Sequence, residues 1–221
     1  MNTMYDTLLL LPLFQGMTKE DFTRILEKNK LDFKKLKAGE ELLHTGDAGN
    51  KLLFVLKGEV AITTTSKENL YMLTEYISEP FLIEPQALFG MNPNYVSTYT
   101  AITDVHTISI GKSAVIQQLF NYEIFRLNYQ NIICNRTQQL QNRLWATTDN
   151  QIEKRIAHFI RIRCEHPFGK KTLKVKMEDL ASLLNESRLT ISRALNNMQQ
   201  QGLIELFRGC ISIPAIEKLD V

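Results

Sequence analysis

The sequence predicts an α+β chain: an antiparallel β-sandwich or barrel in front, a long helix in the middle, and a helix-turn-helix with a β-wing behind. Three observations predict it. Residues 31–110 alternate short apolar runs with turn residues at a spacing of roughly ten, as antiparallel sandwiches and barrels do. Residues 112–147 contain neither Gly nor Pro and carry a heptad-like apolar seam. Residues 177–213 read as two short helices and two short strands. The expected boundaries are 1–111, 112–148 and 149–221.

Composition narrows the possibilities. The 221 residues are 44% hydrophobic and 23% charged, ordinary for a globular chain and unlike a disordered one. The net charge is +2, but it is unevenly spread. Residues 1–149 carry 14 basic and 16 acidic side chains, whereas residues 150–221 carry 12 and 8. A near-neutral front and a basic back suit a sensor joined to a part that meets phosphate. Cys134, Cys164 and Cys210 lie far apart with no CxxC pair, which argues against structural zinc and a dithiol redox centre. An odd cysteine count fits the reducing cytoplasm. Residues 8–14 look like a short signal core, but Asp6 and the lack of Lys or Arg over residues 1–10 oppose that reading. No apolar run reaches the ~18 residues of a membrane span.

The elements follow in order. Thr18 suits an N-cap, with Asp21 three residues on, ahead of Phe22, Ile25 and Leu26 at helical spacing. Apolar runs at 52–56 and 60–65 read as strands, and 99–103 with 105–110 as a later pair. Within the long helix, Ile133, Thr137, Leu140 and Leu144 step by four, three and four, a coiled-coil seam that expects a matching helix from a second copy. Asp149 and Asn150 make a break and a cap. Residues 151–165 read as a helix with Ile152, Ile156, Phe159 and Ile160 on one face, ended by Pro167 and Gly169.

Residues 177–184 form the first helix of the predicted helix-turn-helix, Asn185-Glu186-Ser187 the turn, and 188–200 the second helix, closed by Gly202. Ala181 is small where the two helices cross. Phased at 100° per residue, Ile191, Ala194, Leu195 and Met198 share an inward face. Leu189, Ser192, Arg193 and Asn196 face outward, with Arg188 on the flank. Arginine forks suit guanine O6 and N7, and a helix N-terminus suits phosphate. Residues 203–207 and 210–213 flank Arg208-Gly209 as a wing whose basic tip, Arg208, suits a DNA backbone.

At these residues the chain resembles the CRP/FNR-type transcriptional regulators over nearly its whole length. Residues 11–17 (LPLFQGM) are similar to the family's entry helix, Ala38-Gly39-Glu40 with Thr45-Gly46-Asp47 to its first β-roll strand, and residues 54–60 to the next. Ser187-Arg188-Leu189-Thr190-Ile191-Ser192-Arg193 resembles the recognition-helix signature. The resemblance implies an antiparallel, jelly-roll-like β-roll sensor domain, a dimerisation helix and a winged helix-turn-helix. It implies a homodimer on a near-palindromic double-stranded DNA operator, half-sites ~10 bp apart, with RNA polymerase as a further partner. Base reading carries over to Arg188 and Arg193, with support from Ser192. Ser187, Thr190 and Asn196 complete the DNA-facing set. Where the family often has a glutamate reader stands Leu189, which suits a thymine methyl and cannot accept from cytosine.

The sensor departs from the cyclic-nucleotide pattern. Ile83-Glu84 stands where Gly-Glu would be, and Tyr95-Val96-Ser97 where Arg-Ser-Ala would be. Residues 76–110 hold no Lys or Arg, so a buried phosphate would lack a counter-charge. Glu84, Tyr95, Ser97, Thr137 and Gln141 are the candidate effector residues of a degenerate pocket not expected to bind cyclic AMP. The effector is an unknown small molecule, or the roll is a scaffold only. An iron–sulfur sensor lacks its cysteines, and His44 and His106 read as structural. No cofactor, metal or catalytic residue is assigned, and no enzyme is expected: a cupin-type centre, a GxSxG elbow and a P-loop are all missing. The alternatives are an effector-binding β-roll acting through protein contacts, or a non-catalytic cupin-like binding protein.

Overall fold

Turn residues do divide the front of the chain into strands. The computed structural model describes residues 8–9, 11–28, 31–146 and 150–219. The strands are β1 (Asp32–Leu36), β2 (Glu41–Leu43), β3 (Lys51–Lys57), β4 (Val60–Thr65), β5 (Tyr71–Ile77), β6 (Phe81–Ile83), β7 (Thr98–Ala101), β8 (Val105–Gly111), β9 (Lys171–Val175), β10 (Glu205–Phe207) and β11 (Cys210–Ile213). The helices are α1 (Lys19–Lys28), α2 (Lys112–Gln117), α3 (Glu123–Trp145), α4 (Ile152–Arg161), α5 (Met177–Leu183) and α6 (Arg188–Gln200). The chain is thus α+β, with antiparallel strands in front, a long helix and a helix-turn-helix behind. Thr18 caps α1 as its sequence implies: its hydroxyl accepts the Asp21 N–H at 3.0 Å and donates to the Asp21 carboxylate at 2.7 Å.

Two compact units emerge, and neither is contiguous in sequence. One is Met1–Val60 with Ser78–Leu144; the other is Ala61–Ile77 with Trp145–Val221. From Ala61 on, the hairpin of β4 and β5 falls in the second unit. Asp149, expected at the break before the third part, lies outside the described residues.

In the first unit, β1, β8, β3 and β6 form an antiparallel sheet, and β2 pairs with β7. β3 is buried on both faces because the period-two alternation serves two layers. Leu52, Phe54 and Leu56 join Ile108 and Ile110 in one core with Phe14, Leu119, Phe125 and Tyr129. Leu53 and Val55, paired with Ser109 and Thr107, face the other way together with Ile83 and Phe81 of β6. Phe81 stacks on the buried Tyr99 at 6.5 Å.

The later pair of strands forms as β7 and β8, which do not pair with each other: β8 pairs with β1 and β3, and β7 with β2. Between them the chain changes sheets, fastened to Glu59 by the Ile102 N–H (2.8 Å) and by Thr103 Oγ1, which accepts the Glu59 N–H (2.9 Å). Gly58 permits this crossing. Its φ is +100°, and a Cβ there would lie 2.5 Å from the Asp104 carbonyl oxygen.

The Gly- and Pro-free stretch is also not one helix. It breaks after α2 into a 3-10 turn, Leu119–Asn121, before α3 begins. Leu119 is buried there, and Phe120 packs on Phe125 and Tyr129 at ring distances of 6.0 and 5.9 Å. The Asn121 side chain donates to the freed Gln117 carbonyl at 2.8 Å. Packing and a side-chain hydrogen bond make the break that no helix-breaking residue announces.

In the second unit β5 pairs antiparallel with β9 over five residues, Tyr71↔Val175 to Glu75↔Lys171. β11 pairs with β9 on the other side, and β10 closes the wing hairpin. Leu73, Leu173, Ile211 and Ile213 line one core with α4, α5 and α6. α4 is shorter than residues 151–165: Gln151 is its N-cap and the helix stops at Arg161. The reason is a contact from a distant strand. Glu165 and His166 turn their N–H groups to the Glu75 carboxylate at 2.7 and 3.0 Å, which removes them from the helical ladder. Arg163 lies over the Phe159 ring, 3.6 Å from its centroid, and donates to the Tyr71 hydroxyl at 2.7 Å.

Candidate nucleic-acid interface and roll cassette

α6 is placed by its own apolar face. Ile191, Ala194, Leu195 and Met198 are buried, as the helical phase requires. Asn185 takes the left-handed backbone (φ 51°) in the turn between α5 and α6. Arg155 of α4 fastens that turn, donating to the Glu186 carboxylate and to the Leu184 carbonyl. Sequence reading missed this fastening, because nothing local marks a helical arginine as the partner of a turn some thirty positions on.

Ser187 is the N-cap of α6. Its hydroxyl accepts the Thr190 N–H at 3.0 Å and lies 2.8 Å from the Thr190 hydroxyl. Two residues expected in the DNA-facing set thus hold the first turn of the helix in shape. The outward face is open: Leu189 is 59% exposed, and Arg188, Arg193 and Asn196 are exposed, with Ser192 half-buried. Arg188 lies 3.8 Å from Glu178 across exposed surface, too solvated to lock it. Arg208 and the exposed Phe207 stand at the wing turn, where Gly209 takes φ +68°.

In the first unit the cassette is built around Glu84. It follows β6, takes a left-handed backbone (φ 30°, ψ 60°), and opens the 3-10 turn Pro85–Leu88. Its carboxylate accepts the Val96 N–H at 2.9 Å, the Ser97 N–H at 3.1 Å and the Tyr99 hydroxyl at 3.1 Å. Glu84 is only 4% exposed. Tyr95 is buried, and its hydroxyl donates to the Lys51 carbonyl at 3.2 Å. Desolvation, followed by the nearby Glu84 and Asp47 carboxylates, pushes its phenol up to about 12.

α3 backs this turn. Tyr129 donates to the Pro85 carbonyl at 2.8 Å and Arg136 to the Gln86 side chain at 2.5 Å. Thr137 and Gln141 are exposed on α3, and the Thr137 hydroxyl is turned back to the Ile133 carbonyl at 3.0 Å. The structure therefore brings Glu84, Tyr95 and Ser97 together and leaves Thr137 on its own helix. Of the seam residues, Ile133 is half-buried, while Thr137, Leu140 and Leu144 are exposed. Among the described residues no group of three or more His, Cys, Asp or Glu gathers as a metal site.

Residues 33–122 match the family model of the cyclic nucleotide-binding domain, and residues 154–220 that of the Crp-like helix-turn-helix domain. The chain belongs to the CRP/FNR family of transcriptional regulators.

Among its relatives is the CRP-like cAMP-activated global transcriptional regulator of Mycobacterium tuberculosis, 20% identical over 94% of each chain. The cAMP-activated global transcriptional regulator CRP of Salmonella typhimurium is 24% identical over 74% of this chain and 80% of its own. The catabolite activator protein of Thermus thermophilus has the same fold, with a TM-score of 0.51 at 18% identity, covering 95% and 96% of the two chains. As a CRP/FNR-family member, this chain carries a helix-turn-helix of the DNA-binding kind. None of its described helices is long and apolar enough to cross a membrane.

Proposed function

We propose that this regulator is a cytoplasmic homodimer reading a near-palindromic operator, one α6 per half-site ~10 bp apart. One observation carries the reading: α6 buries its whole apolar face and presents Arg188, Leu189, Arg193 and Asn196 to solvent from a capped N-terminus. Arg188 and Arg193 grip guanine edges, Ser192 supports them, and Leu189 covers a thymine methyl. Ser187 and Thr190 set the helix N-terminus against a phosphate, and Arg208 on the wing meets the backbone. Leu140 and Leu144, with Ile133 and Thr137, join two copies through α3, and RNA polymerase is a further partner.

The relatives named above are called cAMP-activated. In this chain a buried tyrosine stands at the position of the phosphate-binding arginine, and residues 76–110 hold no Lys or Arg. The roll accordingly does not take up cyclic AMP, and any effector it uses is uncharged or apolar.

Selection of binding sites from random DNA tests the reading, followed by Arg188→Ala and Arg193→Ala on the selected site. Each variant is expected to lose ~1–3 kcal/mol of specific binding. No loss in either would favour a module acting through protein contacts.

A further inference from the structure

We propose that Glu84 is the standing ligand of its own cassette: a tethered carboxylate occupying an oxyanion cradle that would otherwise take phosphate or a free carboxylate. The inference deepens the reading that the roll does not take cyclic AMP, and rests on it.

The cradle is defined by its donors. The N–H groups of two consecutive residues, Val96 and Ser97, converge on one carboxylate, joined by the Tyr99 hydroxyl. Successive backbone N–H groups aimed at one point form a concavity for an anion. These are the residues aligned with the part of the family cassette whose backbone approaches the cyclic phosphate. All three donors are spent on Glu84, and the carboxylate arrives from the opposite side of the cassette, twelve to fifteen residues earlier in the chain.

The backbone points the same way. Glu84 holds a left-handed conformation (φ 30°, ψ 60°) that side-chain-bearing residues rarely adopt. Such strain clusters at ligand clamps, where surrounding contacts over-determine it. Here those contacts are the three hydrogen bonds to the carboxylate. Charge completes the argument. With no Lys or Arg over residues 76–110, a second anion beside Glu84 would find no cation from the cassette. Tyr95, at the arginine's position, instead points its hydroxyl at the Lys51 carbonyl. Rejection of phosphate is therefore an effect of occupancy as well as of a missing cation. Removing the carboxylate should turn the same three donors into a receptor for a small oxyanion.

The test uses the full chain with two variants. Glu84→Gly removes the carboxylate and suits the left-handed backbone, so it is the variant expected to fold. Glu84→Gln keeps an acceptor of the same shape and serves as the filled control. Backbone amide resonances of Val96 and Ser97 are followed while inorganic phosphate and acetate are added separately, with melting temperature as a second readout. Glu84→Gly should show saturable shifts at both amides and a raised melting temperature with at least one of the two anions. Wild type and Glu84→Gln should show neither. A Glu84→Gly protein that folds only when acetate or phosphate is present also supports the proposal.

A folded Glu84→Gly protein indifferent to both anions would overturn it. So would an unfolded one that neither anion rescues, or a wild type that responds as strongly as the variant. Failure of the reading on cyclic AMP is distinguished in the same samples. Saturable shifts of wild type with cyclic AMP would sink that reading, while the phosphate and acetate titrations of Glu84→Gly still report on Glu84.

Discussion

Lys171 and Glu75 form an ion pair at 3.3 Å with side chains 0% and 5% exposed. Neither charge is left short of partners. Lys171 also donates to the Phe168 carbonyl at 2.7 Å, and Glu75 accepts the N–H groups of Glu165 and His166. Buried ions survive only when paired and hydrogen-bonded in this way. The pair stands at one end of the β5–β9 ladder, so a hairpin that falls within the cyclic nucleotide-binding match is held as part of the DNA-binding unit.

Removing one partner should be costly. Glu75→Ala leaves Lys171 buried without a counter-charge and is expected to lower stability by ~3–5 kcal/mol. The double substitution Glu75→Leu with Lys171→Met removes both charges and should cost clearly less. Urea unfolding followed by circular dichroism measures both. A Glu75→Ala protein within about 1 kcal/mol of wild type would show that the pair contributes no net stability.

Leu189 gives a prediction about sequence preference. A leucine side chain has no acceptor for a cytosine amino group, so the base pair beneath it should favour thymine or be relaxed. Leu189→Glu should shift that one position toward G·C by ~1–3 kcal/mol and leave the rest of the site unchanged. Parallel site selections on the two proteins would show this, and a strict G·C preference in wild type would contradict it.

The exposed side of α3 predicts the assembly. Leu140→Lys and Leu144→Lys each remove a side chain whose burial between copies is worth ~1.5–3 kcal/mol and place a charge on the seam. Sedimentation equilibrium should find dimers for wild type and mostly monomers for the double variant. Retained dimers would move the interface elsewhere.

His158 predicts a pH effect in the second unit. Desolvation, then Arg161 and Arg163, holds its imidazole below the ordinary histidine range. The unfolded chain therefore binds the proton more readily than the folded one. The stability this represents is complete above the unfolded value of about 6.5 and is lost as pH falls through the lower folded value. His158→Gln should flatten that part of the stability profile, seen in melting temperatures between about pH 8 and pH 5. An unchanged slope would assign the acid sensitivity to other groups.

α6 was legible because the signals that form it are local, even though the Arg155 fastening of its preceding turn is not. The apolar period lies within it and the closing Gly202 just after it, and the structure uses both as the sequence implied; the cap by Ser187 is seen only in the structure. The wing was legible for the same reason: its two strands adjoin the turn. What escaped was long-range. Strands β5 and β9 were not read from the sequence, and only the register of one on the other makes Lys171 and Glu75 a buried pair. The break after Gln117 escaped because packing of Leu119 and Phe120 produces it without a breaking residue. In the cassette, the identities of Glu84 and Tyr95 could be read, but not that the carboxylate closes on the amides of Val96 and Ser97, which is a matter of backbone geometry.

The ladder between β5 and β9 has a consequence for biogenesis. During synthesis the hairpin leaves the ribosome long before the strand it pairs with, and until then one edge of β5 is open to any passing strand. A fragment beginning after α3 would suffer the complementary defect: an unpaired β9 edge and a lysine interred beside no carboxylate. Such a truncation should aggregate unless the hairpin is supplied as a separate peptide.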